Sequence, residues 1–191
     1  MKIAFDWDDT ALLTHPYYVK TLKETHGDDL PLDQYFTKDN GGSGFLGLME
    51  SGDFMDKVEI RAGFIDMVRR LIAEGHEIYS CSHRGYHKMG HVLTRKLFTE
   101  EEWNLFTEHY FLDPATAPNK VEFLQEVFED EDFILFDDRP HFTCEHNEED
   151  AEHIILFDQP WNKELPFDRV FAFDENFISV LDKKLEIFSN F

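Results

Sequence analysis

Cysteine is scarce in this chain, with Cys81 and Cys144 the only two. A disulfide framework is therefore not expected, and Cys81, inside an apolar segment, reads as a small buried thiol rather than a reactive one. Basic residues are also few, 18 Lys and Arg against 40 Asp and Glu, for a net charge of −22. An extended nucleic-acid footprint needs several Lys or Arg contacts to phosphate, so a nucleic-acid polymer is not the expected partner, and an anionic membrane is disfavoured on the same ground. No apolar run reaches the length of a membrane span, no repeat or low-complexity segment occurs, and no signal-peptide pattern precedes Asp6. Together these features point to a reducing, cytoplasmic setting; the sequence carries no sign of an oligomeric state.

Apolar and aromatic residues are plentiful. They make up 42% and 15% of the 191 residues, including 20 phenylalanines, which is enough for a proper core in one main domain or one domain with a modest insertion. Short apolar runs read as strands of a buried parallel sheet: Lys2 to Phe5, Glu77 to Cys81, Phe133 to Phe136, His153 to Phe157 and Arg169 to Phe173, with Tyr110 to Leu112 a weaker sixth. Helical stripes lie between them: Ile65, Val68, Leu71 and Ile72 before Gly75; Val121, Leu124, Val127 and Phe128; and Phe177, Val180, Leu181 and Leu185. Such alternation predicts an α/β fold with a Rossmann-like, doubly wound, mainly parallel sheet. Residues 1–13 and 62–191 would form this core. The stretch 14–61 is too long for a plain crossover and, with Tyr17 to Glu24 helical and a Gly-rich turn at Asn40 to Gly44, reads as a small helical cap inserted over the site.

The first strand delivers Asp6, Asp8 and Thr10. Residues i and i+2 of an extended segment point the same way, so Asp6 and Asp8 can both face the crevice at the carboxyl end of an open α/β sheet. One carboxylate can attack phosphorus to form an acyl phosphate. Its neighbour can protonate the leaving oxygen and later deprotonate the water that clears the intermediate. Other acidic doublets, Asp130 with Asp132 and Asp28 with Asp29, follow no apolar strand and read as solvated loop charge.

Phosphoryl transfer also needs a hydroxyl and a cation for the phosphate oxygens, and acids for a metal. Ser82, His83 and Arg84 follow the second strand, although a serine there could simply cap the next turn. Lys120 opens a helix, where the dipole disfavours a cation, so another reason for it is expected. Asp137 and Asp138 directly follow a buried strand, and a hard divalent ion with oxygen ligands, most simply Mg²⁺, would resolve the cost of burying both.

This ordered set, Asp6-x-Asp8-x-Thr10, Ser82, Lys120 and Asp137-Asp138, resembles the four motifs of the haloacid dehalogenase-like superfamily of phosphohydrolases. The resemblance implies Asp6 as nucleophile, Asp8 as general acid and base, and Ser82 and Lys120 as phosphoryl ligands. It implies Mg²⁺ held by Asp6, the main-chain carbonyl of Asp8 and Asp138, with Asp137 acting through water. A narrower resemblance is to the 5'(3')-deoxyribonucleotidases, carried by Gly75 to Tyr79, Asp137 to Pro140 and Ile154 to Asn162. It implies a nucleoside monophosphate substrate, with Tyr17, Tyr18 or Phe45 able to stack on a base, while His83 and Arg84 after the second strand read as receiving its phosphate, with Thr10 and Arg139 as further substrate-binding candidates. Asp9 departs from that family, which usually has glycine there.

His83, His87 and His91, and His141, Cys144 and His146, have spacings able to bind zinc, but no further soft ligand completes either group. Two other functions stand beside the nucleotidase: a phosphatase for another small phosphoester such as a sugar phosphate, and a non-catalytic phosphate-binding or interaction module on the same fold.

Overall fold

Parallel pairing of buried strands organises the chain. The computed structural model describes residues 1–26, 42–129, 131–142, 144–145 and 147–189. Its sheet has six strands: β1 (Lys2–Phe5), β2 (Glu77–Ser82), β3 (Glu108–Phe111), β4 (Phe133–Asp137), β5 (Ile154–Phe157) and β6 (Asp168–Val170). They run in the order β3-β2-β1-β4-β5-β6, all parallel. The order reverses beside β1, so the crevice beyond the carboxyl ends of β1 and β4 is the place where such a sheet binds ligand. In register, Phe5 lies opposite Phe136, and Asp6 N–H donates to the Phe136 carbonyl at 2.9 Å. Asp6 and Asp137 therefore emerge side by side.

Alternation along each strand splits the core into two layers. Ile3, Phe5, Ile134 and Phe136 face α3 (Phe64–Ala73) and α7 (Glu175–Ser189), and Phe136 stacks on Phe177 with ring centroids 4.3 Å apart. Ala4, Phe133 and Leu135 face the opposite way, against Val121 and Leu124 of α6 (Lys120–Val127). Cys81 is fully buried in this second layer as a free thiol.

All six expected strands form, with shifted ends. β3 begins two residues earlier than the apolar run, and β6 stops at Val170, leaving Phe171 exposed while Phe173 turns into the core. The short helices α4 (Gly90–Arg95) and α5 (Glu100–Trp103) have too few residues to show a periodic stripe, although Thr99 and Glu102 form a capping box at the start of α5.

Between β1 and β2 lie α1 (Thr14–His26) and α2 (Gly42–Ser51). Gly42 to Gly44 open a helix rather than forming a turn; Asn40 and Gly41 lie outside the described residues. The ends of the stretch are tied together, Leu13 N–H to the Glu59 carbonyl and Arg61 N–H to the Ala11 carbonyl. Tyr18, Leu22, Phe54, Met55 and Val58 are buried, four of them in the same cluster as Trp7 and Phe64. No helix among the described residues is long and apolar enough to cross a membrane.

Candidate active site

Three carboxylates converge at the sheet's switch point. Asp6, Asp137 and Asp138 are buried and each offers an oxygen within 4.8 Å of the others. Lys120, only 2% exposed, reaches into this cluster from the first residue of α6, with Nζ 2.9 Å from Asp6 Oδ1 and donating to Asp137 Oδ2 at 2.7 Å. That contact is the reason for a lysine at a helix amino end. Asn119 caps the helix by accepting from Val121 and Glu122 N–H, and Lys120 N–H donates to the Pro140 carbonyl, which joins α6 to the loop after β4.

Burial sets the electrostatics. Desolvation pushes Asp6 up to about 7, with Lys120 opposing and Asp137 and Asp8 adding to the rise. Asp138 is raised well above the usual carboxylate range by desolvation and then by Asp137, Asp9 and Asp6. The Lys120 ammonium is desolvated as well, yet Asp137 and Asp6 outweigh that and hold it charged. One ammonium faces three acids, paired with Asp6 at 2.9 Å and with Asp137 at 2.7 Å. An all-oxygen, anionic, buried donor set of this kind fits a hard divalent cation such as Mg²⁺.

Asp8 sits differently. Desolvation alone would raise it, but the Arg84 charge and hydrogen bonds, together with Thr14, bring it below its ordinary value. Thr14 Oγ1 donates to Asp8 Oδ1 at 2.6 Å. Arg84 is fully buried, and its donors go to Asp8, the Met55 carbonyl and Thr94 Oγ1. The expectation that Arg84 receives substrate phosphate is thus corrected: its fork is occupied by Asp8. Tight packing fixes it there, because a Cβ at Gly85 would lie 2.4 Å from the Phe111 carbonyl oxygen and one at Gly90 would lie 2.1 Å from that of Arg84.

Asp9 occupies the left-handed region at φ 57°, which glycine enters freely and Asp tolerates. Its carboxylate accepts from His15 N–H at 2.7 Å, and desolvation pushes it up to about 7. The Asp9 carbonyl receives Arg61 Nη2 and Gln159 Nε2.

Nearly full-length matches exist among solved structures. A beta-phosphoglucomutase from a hyperthermophilic archaeal Pyrococcus species is 14% identical, with a TM-score of 0.55, over 95% of this chain and 99% of that one. A subfamily IA hydrolase from Geobacter sulfurreducens is 14% identical with a TM-score of 0.57, over 93% and 98%. A hydrolase from Deinococcus radiodurans, with bound phosphate and sodium, is 15% identical with a TM-score of 0.54, over 96% and 95%. The fold is that of the haloacid dehalogenase-superfamily hydrolases. No family model matches the chain, and no curated protein is significantly similar to it in sequence.

On this haloacid dehalogenase fold the remaining predicted residues divide. Thr10 is fully buried, with no hydrogen-bond partner for Oγ1 among the described residues, and Ser82 is buried at the end of β2, accepting from Arg84 N–H at 3.4 Å. Arg139 is exposed, its guanidinium 4.6 Å from the Phe142 ring centroid. His83 Nε2 donates to the Ala117 carbonyl, and desolvation pushes the ring down to about 3, so it is neutral and cannot receive phosphate as a cation. Tyr18 is buried against Phe54, with its hydroxyl on Met49 Sδ, so it offers no face to a base. Tyr17 is half-buried against the core, and the Phe45 side chain lies outside the described residues.

The His83, His87 and His91 spacing is not realised. A single 3-10 turn, His83–Tyr86, ends before α4, so His83, His87 and His91 share no helix face; His146 lies outside the described residues. Sequence reasoning missed the clamp around the site. Trp161 Nε1 donates to Asp138 Oδ2 at 2.7 Å, Asn162 Nδ2 to the carbonyls of Asp138 and Phe157, and Arg61 Nε to that of Thr10. Gln159, Trp161 and Asn162 lie in the family-like run after β5, which was the available signal; Arg61 had none.

Proposed function

We propose that this protein is a Mg²⁺-dependent phosphomonoesterase that works through an aspartyl phosphate on Asp6. The observation that carries the reading is Asp6: a buried carboxylate, ion-paired with Lys120, beside Asp137 and Asp138 at the switch point. Its lone pair is available to attack phosphorus, forming the P–O bond as the bond to the leaving oxygen breaks. Asp8 supplies the proton to that oxygen. A water that gives its proton back to Asp8 then attacks the aspartyl phosphate and releases inorganic phosphate. Lys120, Ser82 and the Thr10 hydroxyl border the transferred group, and the Lys120 charge offsets its developing negative charge.

Asp6, Asp138 and the main-chain carbonyl of Asp8 would hold Mg²⁺. Both Asp137 oxygens are engaged, by Lys120 and by Arg139 N–H, which suits a contact through water. When bound, the ion neutralises the carboxylates and polarises a phosphoryl oxygen.

A nucleoside monophosphate is the substrate that the deoxyribonucleotidase-like runs support, with residues 14–61 as the cap, closed at its base by the Leu13–Glu59 and Arg61–Ala11 bonds. A sugar phosphate is the second reading. Burial of Tyr18 favours it, because that removes one of the three aromatics expected to stack on a base.

Phosphate release against deoxynucleoside and ribonucleoside monophosphates, sugar phosphates and an aryl phosphate, with an EDTA control, tests both. Metal-dependent turnover that Asp6→Asn lowers by about 10³-fold or more is expected. Near wild-type activity in Asp6→Asn would remove the nucleophile assignment.

A further inference from the structure

We propose that Trp161 is a positioning residue for the metal site, committing one oxygen of Asp138 to the protein so that the other stays available to a cation. The inference rests on the metal-dependent reading above and assigns a role to a residue outside the four motifs.

Three observations support it. Asp138 is only 6% exposed, and its Oδ2 receives the indole N–H at 2.7 Å. A hydrogen bond of that length in a buried site fixes the carboxyl group's rotation, leaving Oδ1 as the oxygen the indole does not engage. Trp161 is itself 42% exposed, so core packing does not explain where it lies. An indole N–H at the surface can be satisfied by water, yet this one points inward to a buried acid.

The turn that presents it is also built for precision. Asn162 Nδ2 donates to the carbonyl of Asp138 and to that of Phe157 at the end of β5. The Asn162 side-chain oxygen accepts from Gln159 N–H, and Arg169 donates to the Asn162 side-chain and main-chain oxygens. The backbone and the side chain of Asp138 are therefore both held by consecutive residues of one braced turn. The indole also meets the His15 ring, tilted at 50° with centroids 4.9 Å apart. Such outer contacts to a metal ligand are typically worth about 10–100-fold in metal affinity.

The test is Mg²⁺ binding by calorimetry to the full chain, wild type against Trp161→Phe, with no substrate present. Phenylalanine keeps a ring in contact with His15 and removes only the N–H. Kd should weaken about 10–100-fold while the melting temperature in EDTA stays near wild type. Trp161→His, which returns a ring N–H at similar reach, should recover part of the loss. Equal Kd in wild type and Trp161→Phe would overturn the role of Trp161 alone. A wild type that takes up no Mg²⁺ at millimolar concentration would overturn the metal reading and this inference with it.

Discussion

The Arg84 guanidinium closes on both oxygens of Asp8, with Nε 3.1 and 3.0 Å from Oδ1 and Oδ2 and Nη2 2.7 Å from Oδ1. Its remaining nitrogen holds the Met55 carbonyl and Thr94 Oγ1. One side chain thus ties the proposed acid and base to the stretch between β1 and β2 and to α4. The pair favours ionised Asp8, the form that accepts a proton from water; protonating a leaving group requires the pair to loosen.

Replacing Arg84 should therefore be costly. Arg84→Met would leave Asp8 without its countercharge and two further acceptors without a donor. Removing one partner of a buried pair costs about 3–5 kcal/mol, and since Asp8 keeps 31% of its side chain open, we expect about 3 kcal/mol, discounted for solvent. Urea denaturation should show this as a lower midpoint. Arg84→Lys should recover only part of it, because an ammonium cannot reproduce the fork. An unchanged midpoint in Arg84→Met would contradict the clamp.

The acids at strand ends were legible in the sequence because a buried parallel strand writes itself as an apolar run, and whatever follows the run faces the crevice. The partners that tune those acids were not. Arg84 meets Asp8 across 76 residues and Trp161 meets Asp138 across 23, and such contacts depend on sheet order and helix docking rather than on spacing. Gly42 and Gly44 misled for a local reason: glycine disfavours helix by about 1 kcal/mol relative to alanine, yet here it lies within α2. His83 misled because its exposure, not its type, decides its charge, and the Ala117 carbonyl takes its donor.

Lys120→Met should be harsher on chemistry than on fold at low pH. Removing the ammonium leaves Asp6, Asp137 and Asp138 facing one another without a cation. Turnover should fall by about 10²–10³-fold. In EDTA the variant should unfold more readily than wild type at about pH 8, with a gap that narrows as the carboxylates protonate on acidification. A gap independent of pH, read by thermal melts, would argue that Lys120 contributes packing alone.

Metal and proton should compete at Asp6. In the metal-free protein Asp6 and Asp9 are both pushed up to about 7 from an ordinary 3.8, chiefly by burial. Between those values the folded form holds protons that the unfolded chain has released, so this contribution favours folding at low pH and is lost as pH rises through about 7. Mg²⁺ requires the ionised form. The rise in melting temperature on adding millimolar Mg²⁺ should therefore be larger at about pH 8 than at about pH 6, measured by scanning fluorimetry. A rise that is equal at both would separate the metal from Asp6.

His109 gives the opposite slope, away from the site. Its Nε2 must carry a proton to donate to the Trp103 carbonyl at 3.2 Å, so Nδ1 accepts the Ser80 hydroxyl at 2.9 Å, and the ring stacks on Trp103 with centroids 3.7 Å apart. Burial pushes it down to about 4 from an ordinary 6.5. Between those values the unfolded chain binds the extra proton, so the contribution is complete above about pH 6.5 and is lost as pH falls toward about 4. For a half-buried ring the loss should be about 1 kcal/mol after solvent screening. His109→Gln removes this titration while leaving Asp6 and Asp9 in place, so the stability difference between wild type and variant, from urea denaturation in EDTA, should shrink by that amount between about pH 7.5 and 4.5. A difference that stays constant across that range would mean the imidazole is as easily protonated folded as unfolded, and that its stacking on Trp103 does not exclude the charge.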